Sequence, residues 1–283
     1  MSERHEEDKI QRILVALDAS TDSLAALDAA AKLAQCLQAE LVGLFVEDVN
    51  LLHMAGLPFT RELRFPSLGD VTHEQMEQAL RLQASQARRA LAQAADPRSV
   101  RWSFRVVRGQ VTSELLAAAL TADLITLGKA SRPLRRSSRL GSTAQALAHQ
   151  APRSILLTQQ SVKEDRPLLL TYDGTAMAQK ALQVAFHLAQ SHQLPLTILL
   201  PATNSYDLDH LVEKAGHWLT QQSPQLTAVQ FVRLPHPDVG HLIEAVNLEG
   251  GGSLVLGGPA SLLEAEAIQS LLDGLDCPVL VVR

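Results

Sequence analysis

The 283-residue sequence predicts an α/β protein built as two tandem five-stranded parallel-sheet domains, each with helices on both faces of its sheet. Three observations carry this expectation. Short, continuous apolar runs alternate with helical patterns, the order expected of a parallel sheet buried on both faces. Apolar residues make up 46% of the chain and aromatic residues only 4%, so the core consists mostly of Ala, Leu, Val and Ile, which suits helices packed on such a sheet. The pattern also restarts midway. Leu168 to Thr175 (L-L-L-T-Y-D-G-T) matches Ile13 to Ser20 (I-L-V-A-L-D-A-S), an internal repeat. The expected division is a polar tail over 1–8, a first domain over 9–158, a linker over 159–165 and a second domain over 166–283.

In chain order, Arg12 to Leu17 reads as a buried strand ending at Asp18. Ser20 then precedes a helix with Leu24, Leu27, Ala31 and Ala34 on one face. Leu41 to Val46 is the second strand. Residues 47–71 mix Leu, Pro, Gly and charges at a length unusual for a connection, and read as a lid or a surface excursion. Thr72 to Ala95 is a long helix stopped by Asp96 and Pro97, and Trp102 to Val107 is the third strand. Thr112 is placed to cap a short Ala/Leu helix. Leu124 to Leu127, a helix from Gly141, and Arg153 to Thr158 complete the first unit. In the second, strands are expected at Leu168, Leu196 to Leu200, Ala228 to Leu234, Ser253 to Leu256 and Cys277 to Arg283. Its helices follow Thr175 and cover His210 to Thr220 and Val239 to Val246.

Composition removes several function classes. A net charge of −5 with no broad Lys/Arg face argues against nucleic acid as the main partner. Two cysteines, Cys36 and Cys277, provide neither a disulfide framework nor a zinc spacing, which points to a reducing compartment. Both read as packed thiols or strand residues rather than redox centres. Met1 to Asp8 lacks the apolar region of a secretory signal, and no run approaches the roughly twenty apolar residues needed to span a bilayer. The expectation is a soluble, cytoplasmic protein without membrane insertion. His210 and His217 share a helical face without a third ligand nearby, and no metal site is expected among the protein's own residues. GxxxxGK[ST], GxGxxG and GxSxG motifs are all absent, and no nucleophile lines up with a base, so no catalytic residues are assigned.

The chemistry-bearing stretch is 123–148. A short strand stops at Gly128, a loop carries Lys129, Arg132, Arg135, Arg136 and Arg139, and Gly141, Ser142 and Thr143 open a helix. Glycines that admit a ligand to the backbone, a Ser able to cap, and a helix N-terminus with unpaired N–H groups together outline an anion site suited to phosphate. In an open parallel sheet, ligands sit beyond the carboxyl ends of the strands where the connection order reverses. Asp18 and Gly128 would flank that crevice. Asp18 could hold a ribose hydroxyl or a Mg ion on the phosphates, and Val46 could contact a base through its backbone. The cations could instead form a solvated surface loop, the more usual role of such side chains.

The chain resembles a tandem universal stress protein over essentially all of both repeats. Nucleotide-binding members carry G-x2-G-x9-G-[ST] after the fourth strand. Here that spacing gives Gly128, Ser131, Gly141 and Ser142, with the middle glycine replaced by Ser131. The resemblance implies an adenine nucleotide alpha hydrolase-like fold with strand order 3-2-1-4-5. It also implies ATP, or ADP or AMP, as ligand, with roles for Asp18 and Val46 and a stress-response regulatory activity. Two alternatives stay open: a protein-interaction module that has lost nucleotide binding, and a slow ATPase or self-phosphorylating protein with Ser142 or Thr143 as acceptor.

The second repeat differs where a ligand would bind. From Gly128 to Ile155 is 27 positions and from Gly257 to Val279 only 22, with Ala265 and Glu266 at the place of Gly141 and Ser142. Glu264 adds a second carboxylate and Pro201 stands in place of Val46, so no nucleotide is expected in this half. The apolar last strands, Ile155 to Leu157 and Val279 to Val282, read as sheet edges that want partners. In the family such strands pair across dimers, which implies an intrachain pseudo-dimer here, with a homodimer of whole chains and an unidentified protein partner as further expectations.

Overall fold

A computed structural model describes residues 10–18, 20–55, 73–128, 141–158, 166–222, 228–257, 262 and 264–283. The first half runs β1 (Arg12–Ala16), α1 (Thr21–Leu37), β2 (Glu40–Asp48), α2 (Val49–Ala55), α3 (His73–Ala95), β3 (Trp102–Gly109), α4 (Val111–Ala119), β4 (Leu124–Gly128), α5 (Ser142–Gln150) and β5 (Ser154–Thr158). The second runs β6 (Leu168–Tyr172), α6 (Ala176–His192), β7 (Leu196–Pro201), α7 (Ser205–Gln222), β8 (Val229–Leu234), α8 (Val239–Leu248), β9 (Ser253–Gly257), α9 (Ala265–Gly274) and β10 (Val279–Val281).

All ten strands join one sheet in the order β3-β2-β1-β4-β5-β10-β9-β6-β7-β8, so each half has the order 3-2-1-4-5 and the second mirrors the first. Pairing is parallel within each half. The halves meet through antiparallel β5 and β10, with Leu156 opposite Leu280. The two apolar edges thus cover one another, and the chain is a pseudo-dimer of its own repeats. Helix α1 packs on α6 and α5 on α9 across the same junction.

Strand alternation splits the core into two layers. Ile13, Val15, Leu41 and Phe45 face α1 and α3, whereas Leu14, Val42 and Leu44 face the side of α4 and α5. Each layer continues through the second half, so neither half owns a separate core. Burial of this length of Val, Leu and Ile on both faces is what makes the strands read as continuous apolar runs.

Several boundaries differ from the sequence reading, each for a local reason. Strand β2 continues past Val46 to Asp48 because β3 pairs with it as far as Gly109. Residues 47–55 are therefore not irregular: they finish β2 and form α2. The remainder of that segment, 56–72, lies outside the described residues. Thr112 is not a cap. Helix α4 starts at Val111, two residues earlier than a Thr112 cap would give, with Gln110 at its N-cap position and no side-chain cap bond. Helix α7 begins at Ser205 rather than His210, with Asn204 Oδ1 accepting from the Asp207 N–H at 2.9 Å. Helices α1 and α6 both end on a left-handed Gln, Gln38 at φ 54° and Gln193 at φ 53°, where a glycine would be the usual stop.

Candidate functional site

With β2 and β3 on one side of β1 and β4 and β5 on the other, the connection order reverses between β1 and β4. The carboxyl ends of these strands form the crevice in which open α/β sheets bind ligands.

At the end of β1, the Leu17 N–H donates to Leu44 O at 2.9 Å, the last sheet bond before the chain turns. Asp18 then accepts the Ser20 N–H on Oδ1 at 3.0 Å, and Ser20 Oγ accepts the Ser23 N–H at 3.1 Å to cap α1. Asp18 to Ser20 thus form an Asx turn feeding an N-cap. Asp18 is exposed, and its turn bond uses one carboxylate oxygen.

Val46 presents its backbone to the crevice. Glu40 N–H donates to Gln11 O on the β1 side, while Leu41 N–H donates to Arg101 O on the β3 side. Backbone direction alternates along a strand, so Val46, like Leu44, points its N–H and C=O toward β1. There β1 has already turned away. Behind it, Arg108 donates to Glu47 at 2.9 Å and pairs with Glu77 of α3 at 3.0 Å. These hydrogen bonds hold the guanidinium pKa above its usual value. The sequence reading passed over this triad because its members are 61 and 31 positions from Arg108 in sequence, with no motif to join them.

Gly128 ends β4 beside the first turn of α1. A Cβ there would lie 2.7 Å from the carbonyl carbon of Asp22, so the glycine lets α1 close onto the sheet. Gly257, its counterpart, does the same for α6, since a Cβ would lie 3.1 Å from Ala178 Cα and against the Ala181 side chain. The first glycine of the motif therefore has a packing role that needs no ligand.

Ser142 does not cap α5. Gly141 is the N-cap residue, at φ −61° and ψ 149°, and Ser142 is the first helical residue, exposed to solvent. Gly141 offers no side chain to the first turn, whose backbone N–H groups point out of the helix end. The cap dihedrals suit any residue, and glycine is set apart there by its lack of bulk rather than by conformation. Lys129, Ser131, Arg132, Arg135, Arg136 and Arg139 lie outside the described residues.

The second half repeats the scaffold and alters the surfaces a ligand would meet. Asp173 Oδ1 accepts both the Thr175 N–H at 3.0 Å and its hydroxyl at 2.7 Å. Lys214 reaches from α7 to donate to Gly174 O at 2.5 Å, occupying the rim of the turn. Pro201 ends β7 at the place of Val46, where a crevice-facing N–H is missing. Helix α9 begins one residue earlier than α5 when the two are counted from their ends. Glu264 takes the cap position and Glu266 the first turn.

Other candidates resolve into structure. Cys36, half-buried on α1, directs its thiol to His187 O of α6 at 3.7 Å, and burial raises its pKa. Sequence neighbours alone could not place it at the junction of the halves. Cys277 is buried, with its thiol pushed up to about 11 by desolvation. His217 shares a 2.8 Å contact with Gln221, and Asp238 caps α8 while pairing with His241 at 2.5 Å, which holds the Asp238 carboxyl below its usual range. Among the described residues no three His, Cys, Asp or Glu side chains gather as a metal site.

Comparison with known proteins agrees with this architecture. The sequence profile of the Universal stress protein family matches residues 9–159. Along nearly the whole chain, the fold is similar to that of a universal stress protein from Archaeoglobus fulgidus DSM 4304, at 16% identity, with TM-score 0.68 and coverage of 96% of this chain and 98% of that one. It is also similar to a putative universal stress protein from Pseudomonas aeruginosa UCBPP-PA14, at 16% identity, TM-score 0.60 and coverage of 98% and 94%. A protein of unknown function from Pseudomonas aeruginosa PAO1 matches at 17% identity, TM-score 0.61 and the same coverage. No curated protein gives a significant match. With a family profile over more than half the sequence and full-length tandem structures of the same fold, the chain belongs to the universal stress protein family.

Proposed function

We propose that the first half binds ATP or a related adenine nucleotide without rapid turnover, and that the protein acts in the cytoplasm as a regulatory binding protein of the stress response. The observation that carries this reading is the contrast between the two halves. The first combines an open backbone at Val46 with a helix α5 that begins on Gly141 and Ser142, whereas the second offers Pro201, Glu264 and Glu266. A carboxylate at a helix N-terminus competes with phosphate for the same donors and repels it.

In this reading the Val46 backbone meets the base, and the second oxygen of Asp18 takes a ribose hydroxyl or a Mg ion carried by the nucleotide. The backbone at Gly128, Ser131, Gly141, Ser142 and Thr143 receives the phosphates, supported by Lys129, Arg132, Arg135, Arg136 and Arg139. The second half binds no nucleotide.

Titration calorimetry with ATP and ADP tests this on the wild type and on Gly141→Val. The cap dihedrals accept a β-branched residue, so the substitution adds bulk where phosphate would approach while leaving the backbone unstrained. Binding by the wild type with a stoichiometry of one, weakened about tenfold or more in the variant (~1.4 kcal/mol), is the expected result. Absence of binding at millimolar nucleotide sinks the reading.

A further inference from the structure

A second hollow lies beside α4, on residues other than those of the crevice. It measures about 240 Å³ and sits between α4 and the β1–β2–β3 face. Its floor is apolar, with Leu14, Val42, Leu44 and Val107 from the sheet and Ala118 from the helix. At that size it is smaller than the sites of about 300–1,000 Å³ that enclose drug-sized molecules.

The charges around it are unequal in their commitments. Arg12 pairs with Glu40 at 3.1 Å and donates to Thr121 O at 3.3 Å, while Glu40 also accepts the Ser103 hydroxyl at 3.2 Å. Those groups are engaged. Glu114 folds over Gly109, where a Cβ would lie 2.7 Å from its Cγ. Arg105 is exposed and has no ion-pair partner among the described residues. It stands opposite Leu44 in the β2–β3 register, and opposed residues share a face of the sheet, so its side chain rises on the side of the hollow it lines.

We propose that this hollow binds a small monocarboxylate with an apolar body, the chain lying on Val42, Leu44 and Val107 and the carboxylate meeting the Arg105 guanidinium. A planar guanidinium with free donors matches a carboxylate bidentately. Glu114 in the lining disfavours a second negative charge on the ligand, which selects a monoanion. The arrangement belongs to the first half alone. In the equivalent register Leu199 faces Val232, and prolines, Pro195 and Pro167, stand where Glu40 and Arg12 are.

Octanoate is the probe, with octylamine as its charge-reversed control, both titrated into the full chain and followed by methyl NMR. The dissociation constant is expected on the order of 1 mM, because an exposed ion pair adds little to burial of a short chain. Octanoate should give saturable shifts at the methyls of Val42, Leu44 and Val107, and none at Leu199 or Val232. Arg105→Gln, an exposed substitution that does not touch the core, should weaken binding severalfold, and Ala118→Leu should abolish it by filling the hollow. Octylamine should not saturate. No saturable shift with octanoate, equal binding of octylamine, or unchanged affinity in Arg105→Gln overturns the proposal. The outcome is independent of nucleotide binding at the crevice, which lies on other residues.

Discussion

Replacing Gly257 by alanine separates the packing role of the strand-end glycine from any role in ligand binding. The added methyl would meet the Ala181 side chain and lie 3.1 Å from Ala178 Cα, both on α6. Neither obstacle is the flexible end of a long side chain, so relief requires the helix to move away from β9. Overpacking of this kind costs about 1–3 kcal/mol, and a rigid obstacle places Gly257→Ala at about 2–3 kcal/mol. For a chain of 283 residues that corresponds to a fall of about 3–5 °C in the thermal midpoint. Scanning calorimetry on the wild type and the variant measures it directly. Gly128→Ala, where the methyl meets the Asp22 backbone at 2.7 Å, should lose a similar amount. If ATP binds as proposed, Gly128→Ala should also lower its affinity, while Gly257→Ala leaves affinity unchanged in protein kept below its midpoint. An unchanged midpoint in Gly257→Ala would refute the packing argument at both sites.

Three further outcomes follow from other contacts. Arg283 donates through Nη1 to Ala151 O and through Nη2 to Ala148 O, and its N–H donates to Ser154 Oγ at 3.2 Å, so it ties the second half to the end of α5. Arg283→Ala should cost about 1–2 kcal/mol in urea denaturation, and hydrogen exchange should quicken at the last turn of α5. The Cys277 thiol, raised from 9.0 to about 11 by burial, makes the folded state hold a proton that the unfolded state releases. Its contribution is full below pH 9 and fades as pH rises toward about 11, so a pH series of denaturation midpoints should fall across that window less steeply in Cys277→Ala than in the wild type. The same burial predicts that a thiol reagent at about pH 8 labels Cys277 far more slowly in native than in urea-unfolded protein.

The fold was legible because its signals are local and repeated. Continuous apolar runs located the strands, and the match of Ile13–Ser20 with Leu168–Thr175 exposed the duplication. The edge character of Ile155–Leu157 and Val279–Val282 pointed to the pairing that joins the halves. What escaped the sequence depends on contacts distant in the chain or on conformations that residue type does not announce. Gln38 and Gln193 adopt the left-handed stop usually given to glycine, and Arg108 joins Glu47 and Glu77 only once β2, β3 and α3 are assembled. At the candidate site, Asp18 and its turn and Gly128 could be placed from sequence, but the contacts that fix them could not. A turn bond from the Ser20 N–H and the closeness of Asp22 to β4 are properties of the folded chain.

The comparison of the halves separates residues that serve the fold from those available for function. Features with packing or turn partners recur: Gly128 and Gly257 admit a helix, Asp18 and Asp173 close the same Asx turn, and Ser20 and Thr175 cap the helix that follows. The differences fall at Val46 against Pro201 and at Gly141 and Ser142 against Glu264 and Glu266, at the carboxyl end of the second strand and the start of the last helix of each half. Requirements of folding would not produce that division, since proline at a strand end and glutamate in a first helical turn are both compatible with the fold, as the second half demonstrates. Shared cores and the β5–β10 ladder give the second half a packing role for the first, whether or not it binds anything itself.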